Sequence, residues 1–190
     1  MTCLLVTGVN GVGKSTVIRQ ALHAVPAGRH FSASSALMTH FRVAPQDYAA
    51  LDAVPLEDRV AASGALLAEA IAAATAPLLL DAHLLSFEED VPRDCGGSWV
   101  AALDGIVLLT APARDIVARL SADAARGRTR RWLDPSADGS EHVAVIERRQ
   151  NILARHVRRT GSAWSVPVHC VANSKEPAIA TAAVAALLRI

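Results

Sequence analysis

Residues 6–16 have the sequence Val-Thr-Gly-Val-Asn-Gly-Val-Gly-Lys-Ser-Thr. The segment from Gly8 to Ser15 matches the pattern G-x-x-x-x-G-K-[ST], whose glycines let the backbone fold around an anion with its N–H groups pointing inward. The run Cys3–Thr7 before it predicts a short buried strand, and apolar periodicity from about residue 14 to 25 predicts a helix after it. Because the pattern requires this strand–loop–helix context, we predict a loop that binds nucleotide phosphates.

The residue types of this loop indicate what each position does. Lys14, one of only two lysines in the chain, is expected to contact the β- and γ-phosphates, and the Ser15 hydroxyl is expected to bind Mg²⁺. The positive end of the helix that begins near Lys14 also favours an anion. The predicted nucleotide-binding residues of the loop are Gly8, Asn10, Gly11, Val12, Gly13, Lys14, Ser15 and Thr16.

Strands and helices alternate along the rest of the chain. Further strands are predicted near residues 30–32, 77–81, 105–110 and 166–171, and helices near residues 35–51, 55–75, 112–125, 141–160 and 177–188. The strands are apolar without a period of two, which is typical of a sheet covered on both faces. We therefore expect an α/β fold with a mainly parallel five-stranded sheet and helices on both faces. The segment 86–99, rich in Pro, Gly and acids, is predicted to be an exposed loop.

Composition excludes several classes of protein. The 190 residues carry 19 basic and 18 acidic side chains, which argues against a nucleic-acid-coating protein. The longest apolar stretch, residues 65–80, contains Glu69 and Pro77 and is too short to span a membrane. Three widely spaced cysteines predict neither a disulfide framework nor a zinc site, so we expect a cytoplasmic protein. From the charge balance and the short apolar stretch, we expect neither nucleic-acid nor membrane partners. A monomer or a homodimer is expected.

An acidic residue ends the strand predicted at residues 77–81. Asp81 at the carboxyl end of a parallel strand would lie on the ligand-binding edge of the sheet. It could hold Mg²⁺ through water or accept a proton from an attacking hydroxyl, or it could be an ordinary turn or cap acid. Nearby His83 could orient the acceptor or satisfy a backbone group. We predict that Asp81 is a catalytic and metal-binding residue.

Four arginines lie within six residues in the predicted loop at residues 126–140. They are Arg126, Arg128, Arg130 and Arg131. Guanidinium groups suit a transferring phosphoryl group, and a mobile loop could bring them to it, although a solvated basic loop is the alternative. Arg128 and Arg131 are the preferred catalytic candidates. Arg119, on the preceding helix, is predicted to lie against the nucleotide base, whereas most arginines of the helix after the loop are expected to face solvent.

Taken together, these motifs resemble the P-loop nucleoside and nucleotide kinases, and the archaeal-type adenylate kinases in particular. The resemblance rests on residues 6–16, on Asp81-Ala82-His83, on the arginine-rich loop and on Glu147-Arg148-Arg149-Gln150-Asn151. It implies one domain over residues 1–190, an acceptor-binding helical insertion at about 31–76, a short lid at about 126–140, and ATP with Mg²⁺. It also implies that the loop containing Asn173 lies near adenine.

The sequence departs from that family in the region expected to bind the acceptor. The family's Asp-x-Met-Arg pattern includes an arginine for the acceptor phosphate, but residues 46–51 here are Gln-Asp-Tyr-Ala-Ala-Leu. Arg42 or Arg59 could substitute from outside the pattern, whereas an acceptor that offers a hydroxyl would need no such arginine. The residues predicted to line the acceptor site are Phe31, Met38, Phe41, Arg42, Tyr48 and His83, although core packing is the alternative for the apolar and aromatic ones.

Three functional hypotheses follow from the sequence. The leading one is an ATP-dependent kinase that phosphorylates a hydroxyl of a nucleoside or nucleotide-like metabolite, and it could act in specialised nucleoside biosynthesis. The first alternative is an adenylate kinase-like nucleoside monophosphate kinase with a relocated arginine. The second is a nucleotide-dependent regulatory ATPase, for which we would expect hydrolysis stimulated by a macromolecule and no phosphorylated small product.

Overall fold

The computed structural model describes residues 1–88, 90–124, 139–174 and 176–189. Its strands are β1 (Cys3–Thr7), β2 (Arg29–Ser32), β3 (Leu78–Asp81), β4 (Leu85–Glu88), β5 (Val91–Asp94), β6 (Gly105–Thr110) and β7 (Val168–Ala172). Five of them form a parallel sheet in the order β2-β3-β1-β6-β7. The predicted α/β fold with a parallel five-stranded sheet is therefore confirmed.

The sheet order places β1 at the centre, between β3 and β6. From β1 the chain crosses to the edge strand β2, returns to β3 beside β1, and then continues on the other side of β1 through β6 and β7. Ligands of open parallel sheets bind where the strand order reverses in this way, beyond the carboxyl ends of the strands. Both Thr7, at the end of β1, and Asp81, at the end of β3, lie on that edge of the sheet.

Seven helices and one short 3₁₀ helix surround these strands in the described chain. The helices are α1 (Lys14–Ala24), α2 (Ala33–His40), α3 (Tyr48–Ala53), α4 (Leu56–Ala72), α5 (Ala113–Ala124), α6 (Gly139–Trp164) and α7 (Pro177–Leu188), and the 3₁₀ helix is Ser98–Ala102. Their positions agree with the predicted helices except in one region. The helix predicted at 35–51 is two helices, because the chain turns between them.

That turn has a local cause. Arg42 and Gln46 have positive φ angles of 56° and 68°, which a continuing right-handed helix does not allow. Pro45 also disfavours a helical conformation for the residue before it. Asp47 then begins α3, since its carboxylate accepts a hydrogen bond from the amide of Ala50 at 3.0 Å. The chain is thereby redirected so that α2 and α3 form two sides of a corner.

Two apolar clusters stabilise the fold. The larger includes β1, β3 and β6, whose residues are buried on both faces of the sheet, as expected for central parallel strands. The smaller consists of Leu37, Met38 and Leu51, with side chains of α4 packed against it. It packs α2, α3 and α4 against one another, and these three helices form the part of the chain that connects β2 to β3.

A β-hairpin occupies most of the segment predicted to be an exposed loop at 86–99. Strands β4 and β5 pair antiparallel, with Phe87 opposite Pro92, and the turn between them includes Asp90 at φ 65°. The loop prediction was wrong because each strand has only four residues, too few for a clear alternation of apolar and polar side chains. Within the described part of the chain, no helix is both long enough and apolar enough to cross a membrane.

Candidate functional site

The loop between β1 and α1 has the curved backbone that its glycines predict. Gly11 and Gly13 adopt φ angles of +78° and +99°, which other residues rarely adopt. At Gly8 the constraint is space, because a Cβ atom would lie 2.8 Å from the carbonyl oxygen of Leu109 on β6. Helix α1 begins at Lys14, so its first amides, which have no acceptor within the helix, point towards the space inside the loop. This geometry fits a polyphosphate.

Lys14 lies inside this loop rather than on the surface. Its side chain is buried, and its ammonium Nζ donates a hydrogen bond to the carbonyl oxygen of Gly8 at 3.0 Å. The charge is thus held beside the first turn of α1, whose dipole also favours an anion. The two positive features point to the same small volume, so the loop is arranged for negatively charged oxygens.

Two side chains hold the loop from its outer side. Arg119 on α5 donates to the carbonyl oxygens of Val12 at 3.0 Å and Gly11 at 3.4 Å. Asn173, just after β7, donates from Nδ2 to the same Val12 oxygen at 2.7 Å. Both residues were predicted to bind the nucleotide base, and both contact the phosphate loop itself. Asn173 is buried and its Oδ1 has no hydrogen-bond partner in the described chain.

Ser15 and Asp81 meet where β1 and β3 end. Parallel pairing sets Val6 opposite Asp81, so the first turn of α1 faces the end of β3. The Ser15 hydroxyl donates a hydrogen bond to Asp81 Oδ2 at 3.2 Å. A hydroxyl and a carboxylate are the hard oxygen ligands that Mg²⁺ prefers, usually with waters and phosphate oxygens completing its shell. The pair therefore fits a phosphate-bound magnesium ion.

A cavity opens beside this pair, with a volume of about 520 Å³. It lies between the ends of β2 and β3 and the corner formed by α2 and α3. Its lining is entirely polar or aromatic, without an aliphatic side chain. The lining residues are Ser15, His30, Ser32, Ser34, Ser35, Gln46, Tyr48 and Asp81. Asp81 and Ser15 thus belong both to the phosphate loop side and to the cavity.

The residues predicted to bind the acceptor have different positions. Tyr48 lines the cavity. Met38 and Phe41 belong to the small apolar cluster between α2, α3 and α4, and Phe31 packs against the main core. Arg42 and His83 are exposed and are not among the lining residues. Sequence reasoning missed the lining residues His30, Ser32, Ser34, Ser35 and Gln46. Ser32 ends a predicted strand and Ser34 and Ser35 follow it, so the position of these serines at the sheet edge was a signal that could have identified them.

Arg59, considered as a substitute for the missing acceptor arginine, is engaged elsewhere. Its NH1 contacts Asp52 Oδ1 at 3.1 Å, and its Nε donates to the Val54 carbonyl at 3.0 Å. These contacts hold the start of α4 against the end of α3. Arg59 is therefore a structural link between two helices and does not line the cavity.

Helix α6 holds the hairpin β4–β5 through buried polar side chains. Arg149 donates from Nε and NH2 to Asp90 Oδ1 at 3.0 and 2.7 Å, and its guanidinium lies 5.1 Å from the centre of the Phe87 ring. His156 on the same helix contacts Asp94 Oδ1 at 3.2 Å. The arginines of α6 were expected to face solvent for the most part, and Arg149 is a buried exception.

Some predicted site residues lie outside the described residues. They are Arg126, Arg128, Arg130 and Arg131 of the predicted lid. Among residues 1–88, 90–124, 139–174 and 176–189, no group of three or more His, Cys, Asp or Glu side chains could hold a metal ion. A magnesium ion shared between Ser15, Asp81 and phosphate oxygens needs no such group.

Solved structures with this architecture include two shikimate kinases. The enzyme from Bacteroides thetaiotaomicron aligns with a TM-score of 0.62 and 10% identity over 100% of this chain and 99% of that chain. The enzyme from Acinetobacter baumannii, in complex with shikimate, aligns with a TM-score of 0.61 and 14% identity over 100% and 94%. An uncharacterized protein from Eubacterium ventriosum aligns with a TM-score of 0.51 and 6% identity over 99% and 98%. At these identities the likeness establishes the P-loop kinase fold.

Comparison at the level of sequence gives the family. No curated protein matches the chain. A family model described as an AAA domain matches residues 7–134, which include the phosphate loop, Asp81 and helices α2, α3 and α4. Because this match spans more than half of the 190 residues, the chain belongs to the AAA domain family.

Proposed function

We propose that the protein is an ATP-dependent kinase that transfers a phosphoryl group to a hydroxyl of a small molecule, a nucleoside or a nucleotide-like metabolite. The observation that carries the proposal is the position of Asp81. Its carboxylate accepts a hydrogen bond from Ser15 of the phosphate loop at 3.2 Å and also lines a cavity of about 520 Å³. A group that touches both the nucleotide side and the acceptor side is suited to join two substrates.

The phosphate loop would hold the nucleotide. The amides at the start of α1 and the Lys14 ammonium would bind its phosphate oxygens, and Ser15 with Asp81 would hold Mg²⁺. When bound, magnesium-complexed ATP supplies an electrophilic phosphoryl group. Lys14 would stabilise the negative charge that develops on the oxygens between the donor and the transferring group.

Asp81 would act on the acceptor. An ionised carboxylate accepts hydrogen bonds and donates none, so it orients an acceptor hydroxyl by its proton. As the acceptor oxygen forms its bond to the terminal phosphorus of ATP, the bond from that phosphorus to the bridging oxygen would break and ADP would leave. The acceptor O–H bond would also break, and its proton would move to Asp81 or to a water that Asp81 holds. Shikimate kinases at 10% and 14% identity have the same fold, and this likeness supports a small-molecule acceptor.

The proposal extends to the organisation of the chain. We place residues 1–190 in one domain, with residues 31–76 as the acceptor-binding insertion and residues 126–140 as a lid. Arg128 and Arg131 of that lid would contact the transferring phosphate. The archaeal-type adenylate kinases remain the family that the motifs resemble, and we propose a cytoplasmic monomer or homodimer.

A product screen tests the proposal directly. The purified protein is incubated with ATP, Mg²⁺ and single acceptors from three sets: nucleosides, nucleoside monophosphates and neutral sugars. Mass spectrometry then detects an acceptor heavier by one phosphate. We expect such a product from a hydroxyl acceptor with the native protein and none with Lys14→Ala. Turnover with monophosphates alone would contradict the hydroxyl acceptor, and ATP hydrolysis without any phosphorylated product would contradict the kinase.

A further inference from the structure

We infer that the acceptor is an uncharged molecule with hydroxyl groups on adjacent carbon atoms, and that Ser34 and Ser35 bind those hydroxyls. The inference rests on the proposed function, which leaves the charge of the acceptor open. It comes from the hydrogen-bonding capacity of the cavity next to Asp81. Three serines, Ser32, Ser34 and Ser35, form one side of that cavity.

Hydrogen bonds within this serine group determine what remains for a ligand. Ser32 Oγ accepts from the Ser35 hydroxyl at 3.1 Å and from the Ser35 amide at 3.4 Å. A hydroxyl oxygen has two lone pairs, so these two donors occupy both. The Ser32 proton must therefore point to Ser34 Oγ, which lies 3.2 Å away.

The two outer serines are left with different capacities. Ser34 Oγ accepts from Ser32, so its own proton is directed elsewhere and can be donated to a ligand. The Ser35 proton is already donated to Ser32, so its oxygen offers lone pairs. One donor beside one acceptor matches a pair of ligand hydroxyls, each of which can both donate and accept. A phosphate or carboxylate has oxygens that accept only, and these would face the lone pairs of Ser35.

The charges around the cavity also favour an uncharged acceptor. Asp81 is the only carboxylate among its described lining residues, and no lysine or arginine lines it. Binding a phosphate monoester in such sites is usually the task of a bidentate arginine. Arg59 is held by Asp52 and the Val54 carbonyl, and exposed Arg42 is not a lining residue. Among the described residues that line the cavity, an anionic acceptor would thus meet one negative charge and no lysine or arginine.

The remaining lining groups also suit a neutral polyhydroxylated ligand. His30, Gln46 and Tyr48 each carry a side chain that can both donate and accept, depending on its proton or orientation. The volume of about 520 Å³ lies in the ordinary range of small-molecule sites. A nucleoside, through its ribose diol, and a cyclic polyol or monosaccharide are of suitable size and chemistry.

Matched pairs of acceptors test the inference. Each neutral compound is assayed with a charged counterpart: a nucleoside with its 5′-monophosphate, a monosaccharide with its sugar acid, and a cyclic polyol with its monophosphate. For the best acceptor, Ser34→Ala and Ser35→Ala are compared with Ser162→Ala, which changes an exposed serine on α6 outside the cavity. Circular dichroism melting verifies that each variant is folded, and KM and kcat are measured for ATP and for the acceptor separately.

We expect phosphorylation of the neutral member of a pair, with Ser34→Ala raising the acceptor KM about tenfold through the loss of one hydrogen bond. The KM for ATP should stay within about twofold, and Ser162→Ala should behave as the native protein. Preferential phosphorylation of charged counterparts would overturn the inference while leaving phosphoryl transfer intact. An unchanged acceptor KM in both serine variants would also overturn it. Absence of any phosphorylated product, with ATP still bound, would instead remove the proposed function.

Discussion

Ser15 donates its hydroxyl hydrogen bond to Asp81 across 66 residues of chain, at a distance of 3.2 Å. The contact exists because β1 and β3 are parallel neighbours, with Val6 opposite Asp81. One residue belongs to the loop that would hold the nucleotide, and the other lines the cavity that would hold the acceptor. The same pair therefore determines how the two substrates would be oriented.

Replacing Asp81 tests its role in transfer. Asp81→Asn keeps the size of the side chain and an oxygen for Ser15, but removes the charge that would accept a proton. We expect kcat to fall by about 10²–10⁴-fold, while ATP affinity changes little. Isothermal titration with ATP and initial rates of product formation measure the two effects. Glu69→Gln, an exposed change on α4, is the control for loss of one carboxylate, and equal rates for both variants would remove Asp81 from the mechanism.

Replacing Lys14 tests whether the loop at residues 8–15 binds nucleotide phosphates. Its ammonium is buried against the Gly8 carbonyl, so Lys14→Ala removes a cation from inside the loop. We expect turnover to fall by about 10²–10³-fold, as for loss of one group that stabilises developing charge. The increase in melting temperature caused by magnesium-complexed ATP should also shrink. Undiminished turnover would contradict the assignment of the loop.

Sequence predicted the shape of the loop at residues 8–15 because its residues are consecutive. Gly11 and Gly13 take positive φ angles in one continuous turn, and a strand and a helix on either side of that turn fix where it lies. The position of Asp81 was also predictable from a local pattern, because the carboxyl ends of parallel strands all lie on the same edge of the sheet. Neither prediction needed knowledge of how distant helices pack.

The lining of the cavity beside Asp81 depends on a turn that the apolar periodicity of the sequence did not indicate. Sequence placed one helix at 35–51, whereas positive φ angles at Arg42 and Gln46 separate α2 from α3. The corner between them buries Met38 and brings Gln46 and Tyr48 to the cavity. Large apolar residues were expected in the site, but their transfer from water favours the small core. Serines line the cavity in their place, and no apolar periodicity in the sequence indicates those positions.

Asn173 gives a prediction about how the loop is held. Its Nδ2 donates to the Val12 carbonyl at 2.7 Å, and the loop beside Gly13 is closely packed against it. Asn173→Ala should leave the Val12 oxygen to Arg119 alone and loosen the loop. We expect the KM for ATP to rise about tenfold, the cost of one hydrogen bond to a preorganised loop, with kcat reduced less.

The matched control for this variant is Asn151→Ala, which changes an exposed asparagine on α6. Fluorescence titration with a nucleotide analogue and steady-state kinetics measure the change. If Asn173→Ala lowered only the melting temperature and left the KM for ATP as in the native protein, Asn173 would serve the fold and not the loop.

The cysteines offer a test that does not depend on activity. Burial raises the pKa of the Cys3 and Cys95 thiols to about 11, with nearby Asp104 adding to the effect at Cys3. Thiolate is the reactive form, so at pH 8 both should react with iodoacetamide about a hundredfold more slowly than an ordinary thiol. Exposed Cys170 should be labelled first.

Peptide mass spectrometry locates the label over time. Labelling of Cys95 should increase about tenfold as the pH rises from 8 to 9, because the thiolate fraction increases by that factor below the pKa. Protein unfolded in urea should label at all three positions. Labelling of Cys3 as fast as that of Cys170 in the folded protein would contradict the burial of β1.

Arg149 tests whether the hairpin is fixed to α6. Its guanidinium makes two contacts with Asp90 and lies over Phe87, while the neighbouring Arg148 is exposed. Arg149→Ala removes these contacts and leaves a space beside the hairpin, so we expect the free energy of unfolding to fall by about 2 kcal/mol, within the range for hydrogen bonds to charged groups. Arg148→Ala should change the free energy of unfolding by less than about 0.5 kcal/mol.

Urea unfolding followed by circular dichroism gives both values. Equal stabilities of the two variants would mean that the hairpin β4–β5 is held in place without Arg149, and the buried contact would then contribute nothing to the fold.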